Sequence, residues 1–266
     1  MAFASTLVLV SALISPALGA AAAAAKDTAG VQASSIGDTG VIVPLYIYPG
    51  EEWDELIEIK NNNTGVPMVA IVNPASGPGT SKDSAYAAGI RELKAAGIIV
   101  LGYVWTDYGD RSSSLVRSEI SLYKRWYSVD GIFFDAMSNL KGKLKYYNNL
   151  DNYVKSKGLT LTVGNPGTDT RRIYIGSVDN MVIYENAGTP ELSYLGGGWH
   201  GSYDKSNFSF ISYDVPSLDE SFVANATQYV GYLYITDDDL PNPFDSLPGY
   251  LGDLVAAVGR ANAESP

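Results

Sequence analysis

The segment VDGIFFDAMSNLKGKLKYYNNLDNYVKSKG, residues 129–158, decides the fold. Its apolar run, Ile132, Phe133 and Phe134, shows no alternation with polar residues. Such a run reads as a strand buried on both faces, as parallel strands are. It stops at an acid, Asp135, followed by Ala136, and after a short polar loop KLKYYNNLDNYVKSKG reads as a helix. A buried strand, an acid at its end and a helix leading back form one unit of a parallel α/β sheet.

The same unit recurs on both sides. Upstream, VIVPLYIY (41–48) precedes WDELIEIKNN, VPMVAIVN (66–73) precedes KDSAYAAGIRELKAAG, and IIVLGYVWT (98–106) precedes SLVRSEISLYKRWYS. Downstream come LTLTVGN, NMVIYEN, FSFISYDV and VGYLYIT with shorter helices between them, closed by GYLGDLVAAVGRAN. Eight strand-then-helix units in roughly 220 residues predict an α/β fold of the (β/α)8 TIM-barrel type, a single domain over 39–262. An open doubly wound sheet is the alternative. The first strand is followed by IYPGE, with none of the G-x-G-x-x-G turn that a dinucleotide-binding sheet carries.

The chain ahead of the barrel is of a different kind. LVLVSALISPALGA (7–20) is an apolar run with small residues near its end, too short to span a bilayer. We read 1–20 as a signal peptide and 21–38 as a flexible leader, so the expected protein is secreted, extracellular or cell-wall associated, and a monomer. No lipid-anchor signal closes the chain, so no membrane partner is expected. Among 266 residues there is no cysteine, which removes disulfides and thiolate chemistry alike. Asn62, Asn207 and Asn225 begin Asn-x-Ser/Thr sequons. The net charge of −11 argues against nucleic acid, because neutralising phosphates takes clustered Lys and Arg. It suits solubility, or an acidic groove for a cationic substrate.

In such a barrel the working residues sit at the C-terminal ends of the strands. There stand Tyr46 and Tyr48, Asn73, Tyr103, Trp105 and Asp107, Asp135, Asn165, Glu185, Tyr213 and Asp214, and Thr236 with Asp237 to Asp239. Basic residues are absent from this set, which argues against a phosphate substrate. The single histidine, His200 in GGGWHGSY, cannot by itself build a zinc site and is expected to be an exposed loop residue. No G-x-S-x-G elbow precedes a helix, and PASGPG lacks the Gly-Lys-Ser/Thr of a phosphate loop. No cofactor or metal is called for.

Paired acids remain. Glycosidic hydrolysis needs one carboxyl to protonate the leaving oxygen and another to attack the anomeric carbon or to activate water. Asp135 and Glu185 end the fourth and sixth strands, and alternate strands of a barrel share an interior layer. Converging side chains from strands two apart would place the carboxyls roughly 5 to 8 Å from each other, a range that covers retaining and inverting geometries. The tyrosines and Trp105 suit the apolar faces of sugar rings, with Tyr108 beside them at the mouth. Strand alternation places residues 135 and 136 on opposite faces unless the strand has already ended.

PLYIYPG with its following Trp, IVNPASGPG, GYVWTDYGDR, DGIFFD, GNPGT, YEN and YITDDDLPNPFDSLP together resemble the spherulin-4, or spherulation-specific, family, grouped with glycoside hydrolase family 135. The resemblance runs in order over nearly the whole chain after the leader. It implies a secreted (β/α)8 protein of a fungus or related microbe. The activity it implies is endo-hydrolysis of galactosaminogalactan, a partly deacetylated and hence cationic polysaccharide. Asp135 and Glu185 match the acids of the family's groove and are the expected catalytic residues, and the strand ends supply Tyr46, Tyr48, Asn73, Tyr103, Trp105, Asn165, Tyr213 and Asp237 as the expected groove lining. The family typically carries an Asp-Glu pair at the end of the fourth strand, where this chain has Asp135 and Ala136. Two functions therefore stay open: a hydrolase with Glu185 as general acid and Asp135 as nucleophile or base, the roles being exchangeable, or a barrel that binds carbohydrate without cleaving it.

Overall fold

A computed structural model of the chain describes residues 37–264. The signal peptide and all but the last two residues of the leader lie outside the described residues. Eight parallel strands, each hydrogen-bonded to its neighbours in sequence order, close into a barrel when β8 pairs with β1. The strands are β1 (Gly40–Leu45), β2 (Met68–Val72), β3 (Ile99–Trp105), β4 (Gly131–Asp135), β5 (Leu161–Gly164), β6 (Asn180–Ala187), β7 (Phe208–Tyr213) and β8 (Tyr232–Ile235). The helices are α1 (Glu51–Asn62), α2 (Ser84–Ala95), α3 (Ser113–Tyr127), α4 (Leu144–Ser156), α5 (Leu192–Gly196), α6 (Glu220–Ala226) and α7 (Leu251–Glu264).

The expected fold is therefore the observed one, with two differences. No α-helix links β5 to β6 among the described residues, and a single 3-10 turn (Arg172–Tyr174) makes that crossover. The first strand stops at Leu45, where the Tyr46 N–H turns back to the Pro44 carbonyl at 3.1 Å, so Tyr46 and Tyr48 belong to the loop.

Local chemistry explains where the helices begin and how closely they sit. Asp83 caps α2 by accepting from the N–H groups of Ala85 and Tyr86, at 2.8 and 3.1 Å. Helix α3 lies flat on the sheet because β3 offers a glycine under it: a Cβ on Gly102 would stand 2.5 Å from the Tyr123 ring. Beneath the site, Tyr103 and Phe133 stack across the paired strands β3 and β4, with ring centroids 6.4 Å apart. The interior is thus a packed core, polar at its C-terminal mouth and at the Asn180–Ser209 pair lower down. No helix among the described residues is long and apolar enough to cross a membrane.

Candidate active site

Asp135 is the last residue of β4, and the strand ends there. Ala136 adopts the left-handed conformation, with φ +48°. At this turn the Ala136 N–H hydrogen-bonds the Asp135 carboxyl. Its carbonyl accepts from the Tyr108 N–H at 2.7 Å and from the Thr106 hydroxyl at 2.9 Å. The Thr106 hydroxyl also lies 2.8 Å from the Asp135 carbonyl and 3.1 Å from the Tyr147 hydroxyl, which in turn accepts from the Ser138 N–H. A buried polar brace thus holds the β4 end from below.

Glu185 reaches the mouth by a different device. β6 pairs with β7 as Val182↔Ser209, then Tyr184↔Phe210 and Glu185↔Ile211, so Ile183 is an extra residue in the ladder. Ser209 faces inward, where its hydroxyl meets the Asn180 side chain at 2.6 Å, and Ile211 shares its face. Phe210 faces outward onto Phe222 of α6, with ring centroids 5.9 Å apart. Unbroken alternation after Val182 would turn Tyr184 inward and Glu185 outward. The bulge reverses this, sending Tyr184 out against Tyr194 of α5 and Glu185 into the barrel mouth.

Asn165, directly after β5, lies between the two acids. Its amide nitrogen donates to Asp135 Oδ1 at 2.9 Å and to Glu185 Oε2 at 2.5 Å. Two oxygens that share one donor nitrogen lie no farther apart than those lengths end to end, under about 5.5 Å. Tyr103 donates from its hydroxyl to the other Asp135 oxygen at 2.6 Å. Tyr46 sets its ring edge-on to Tyr103 and to Phe244 of the β8 loop, both at 5.7 Å. Tyr213 is nearly buried beside Glu185, and its hydroxyl is 3.5 Å from Asn186 Oδ1.

The two acids stand in unequal surroundings. Burial and the adjacent Asp135 charge push Glu185 up to about 7, and the Asn165 bond offsets only part of this. Burial also raises Asp135, but the Tyr103 hydroxyl, the Ala136 N–H and the Asn165 amide all pull it back toward the ionised form. Burial first, and then the Asp135 charge, keep the Tyr103 and Tyr46 hydroxyls protonated. Burial thus raises both carboxyls, and they differ in that three hydrogen bonds favour the anion at Asp135 and one does so at Glu185, the inequality that an acid and its anionic partner require.

The side chains of the remaining sequence-predicted residues do not hydrogen-bond the acids, although Trp105 pairs with Asp135 along the β3–β4 ladder. Tyr48 is 61% exposed and turns to Asp83, 3.4 Å away. Asn73 braces its own loop, its side-chain oxygen accepting from the Gly77 N–H at 2.8 Å. Trp105, 42% exposed, lies at the rim below the Arg111 guanidinium, 6.0 Å from its ring centroid, and Arg111 is ion-paired with Glu119. Asp237 is exposed on the β8 loop and hydrogen-bonds neither acid.

His200 corrects the expectation of an exposed loop residue. It is 5% exposed, with Nδ1 donating to the Tyr194 carbonyl at 3.1 Å and Nε2 3.0 Å from Asp169 Oδ1. Trp199 also donates to Asp169, at 3.2 Å. These contacts tie the segment after α5 to the GNPGTDT loop after β5, whose Gly167 carbonyl accepts from the Glu185 N–H at 3.1 Å. A glycine-rich stretch hid a buried contact because its partner is distant in sequence. The brace of Thr106 and Tyr147 also went unread, being spread over the loop after β3, the end of β4 and helix α4.

A cavity of about 440 Å³ opens at the opposite, N-terminal end of the barrel, lined by Asp151, Asp179 and Tyr232 among others. Thr162 and Lys155 already engage both of its carboxylates, so the paired acids at the C-terminal mouth remain the candidate site. Among the described residues no group of three or more His, Asp or Glu is placed to hold a metal ion.

Comparison with known proteins gives the chain a lineage. The chain is 34% identical over 247 residues to spherulin-4 of Physarum polycephalum, covering 87% of this chain and 74% of that protein. Its structure is similar to the crystal structure of Aspergillus clavatus Sph3 in complex with GalNAc, at 26% identity and a TM-score of 0.75, over 84% of this chain and 98% of that one. The endo-β-1,4-mannanase of Thermotoga petrophila shares the fold alone, with 9% identity and a TM-score of 0.52 over 88% of this chain and 78% of that one. Residues 40–258 match the model of spherulation-specific family 4, and the chain belongs to that family.

Proposed function

We propose that the protein is an exported, endo-acting glycoside hydrolase of a galactosamine-containing polysaccharide such as galactosaminogalactan. The observation that carries this reading is the Asp135–Asn165–Glu185 arrangement: two half-buried carboxyls bridged by one amide nitrogen, their bridged oxygens under about 5.5 Å apart, at the mouth of a closed barrel. The likeness to a structure that holds GalNAc supports a carbohydrate-active barrel.

The separation favours a retaining route. Protonated Glu185 gives its proton to the glycosidic oxygen as the bond from that oxygen to the anomeric carbon breaks, while an Asp135 oxygen bonds to the carbon. Water then attacks the same carbon and passes a proton to the Glu185 carboxylate, and the Asp135–carbon bond breaks. Atoms and charges balance over the cycle without a further reagent. Tyr103 and Asn165 hold Asp135 in line, and Trp105 and Tyr108 offer flat faces at the rim, 42% and 56% exposed.

The test is release of reducing ends from galactosaminogalactan. Asp135→Asn and Glu185→Gln are expected to lower the rate by about 10³-fold or more, with circular dichroism unchanged. The second reading, a barrel that binds glycan without cleaving it, draws on Ala136, where the resemblance leads one to expect a glutamate. Reducing ends from Ala136→Glu alone, with none from the unaltered chain, would establish it in place of the first.

A further inference from the structure

We propose that Asn165 is a positioning residue that fixes which oxygen of Glu185 carries the transferable proton, placing it on Oε1. The inference rests on the hydrolase reading above and deepens it. An amide nitrogen offers two hydrogens and accepts nothing. Both hydrogens are committed, one to Asp135 Oδ1 and one to Glu185 Oε2. The carbonyl oxygen of a carboxylic acid is the stronger acceptor, so Oε2 takes that role and Oε1 holds the hydrogen.

The reverse orientation of the amide is chemically excluded. It would set an oxygen that only accepts against an Asp135 carboxylate that already accepts from Tyr103. The backbone leaves the side chain little choice of position. The Asn165 N–H donates to the Phe134 carbonyl, and its own carbonyl accepts from the Met137 N–H, each at 2.8 Å, so the residue is stitched to both sides of the β4 end.

One further observation separates this role from an ordinary structural one. Asn165 is 6% exposed, and its side-chain oxygen is buried without a hydrogen-bond partner among the described residues. A buried asparagine that merely braced a loop would be expected to satisfy its acceptor as well as its donors. This one leaves the acceptor unmet while both donors face the acids. As Glu185 loses its proton, the bond to Oε2 becomes charge-assisted and strengthens, so a donor already in place stabilises the charge that develops there.

The test uses the full chain with Asn165→Ala. The ¹³C carboxyl resonance of Glu185, assigned by its disappearance in Glu185→Gln, is followed against pH. Losing a donor to the carboxylate is expected to move the Glu185 midpoint to higher pH, and the alkaline limb of kcat/KM on galactosaminogalactan with it. The expected kinetic signature is a fall in kcat of about 10²-fold with KM within about twofold. Asn165→Ser, which keeps a small polar side chain, is expected to show the same upward shift and serves if the alanine variant fails to fold. A Glu185 midpoint that stays in place in a folded variant overturns the proposal. So does a raised KM with kcat retained, which would make Asn165 a substrate ligand. An unaltered chain that cleaves nothing, combined with a moved midpoint, would sink the hydrolase reading and still support the placement of the proton.

Discussion

Glu185 and Ala136 carry opposite kinds of strain at the residue scale. Glu185 is an acid whose folded-state pKa is raised from 4.5 to about 7 by burial and by Asp135. Its contribution to stability is therefore fully present below about pH 4.5 and is lost as pH rises through about 7, on the order of 3 kcal/mol. Chemical denaturation at pH 4.5 and pH 8 should show that difference, and Glu185→Gln should remove this component of it. The same titration predicts that hydrolysis falls on the alkaline side near pH 7, where the general acid loses its proton. At Ala136 the strain is conformational, since a Cβ at φ +48° crowds its own backbone. Ala136→Gly is expected to raise stability by about 1 kcal/mol, read as an increase in Tm, while leaving the Asp135 carbonyl and carboxyl contacts in place.

At the scale of the element, five of the six non-glycine residues with positive φ among the described residues, Ser76, Asp107, Tyr108, Ala136 and Asp214, sit in loops that follow strand C-termini. Strained backbone collects where binding and catalytic side chains must be aimed, and the rigid barrel below holds it in place. The Thr106 brace is one such support. Thr106→Val removes the hydroxyl from the Asp135 and Ala136 carbonyls and is expected to cost about 1–3 kcal/mol, with a loss of activity larger than its fall in Tm alone explains. Strand positions were legible from uninterrupted apolar runs such as Ile132 to Phe134, and helix α2 from the stretch KDSAYAAGIRELKAAG. The β6 bulge was not legible. NMVIYEN reads as a plain strand, and the extra residue, Ile183, is defined only by the register of β7 against it.

The whole molecule adds its charge. With a net charge of −11, KM for a cationic, partly deacetylated polymer should rise with ionic strength, and KM for a fully N-acetylated one should rise much less. Equal salt dependence for both polymers would remove any part for long-range attraction. The sequence by itself determined the barrel, because a run of buried strands and helices in strict alternation has few ways to pack, and it determined that acids stand at the end of β4 and near the end of β6. Only the tertiary structure decided that those acids meet. Glu185 faces inward because β7 forces a bulge into β6, Ala136 turns left-handed because Tyr108 and Thr106 hold its carbonyl, and Asn165 joins the pair from the strand between them. Each of these depends on hydrogen bonds between residues distant along the chain, which no local pattern of side chains records.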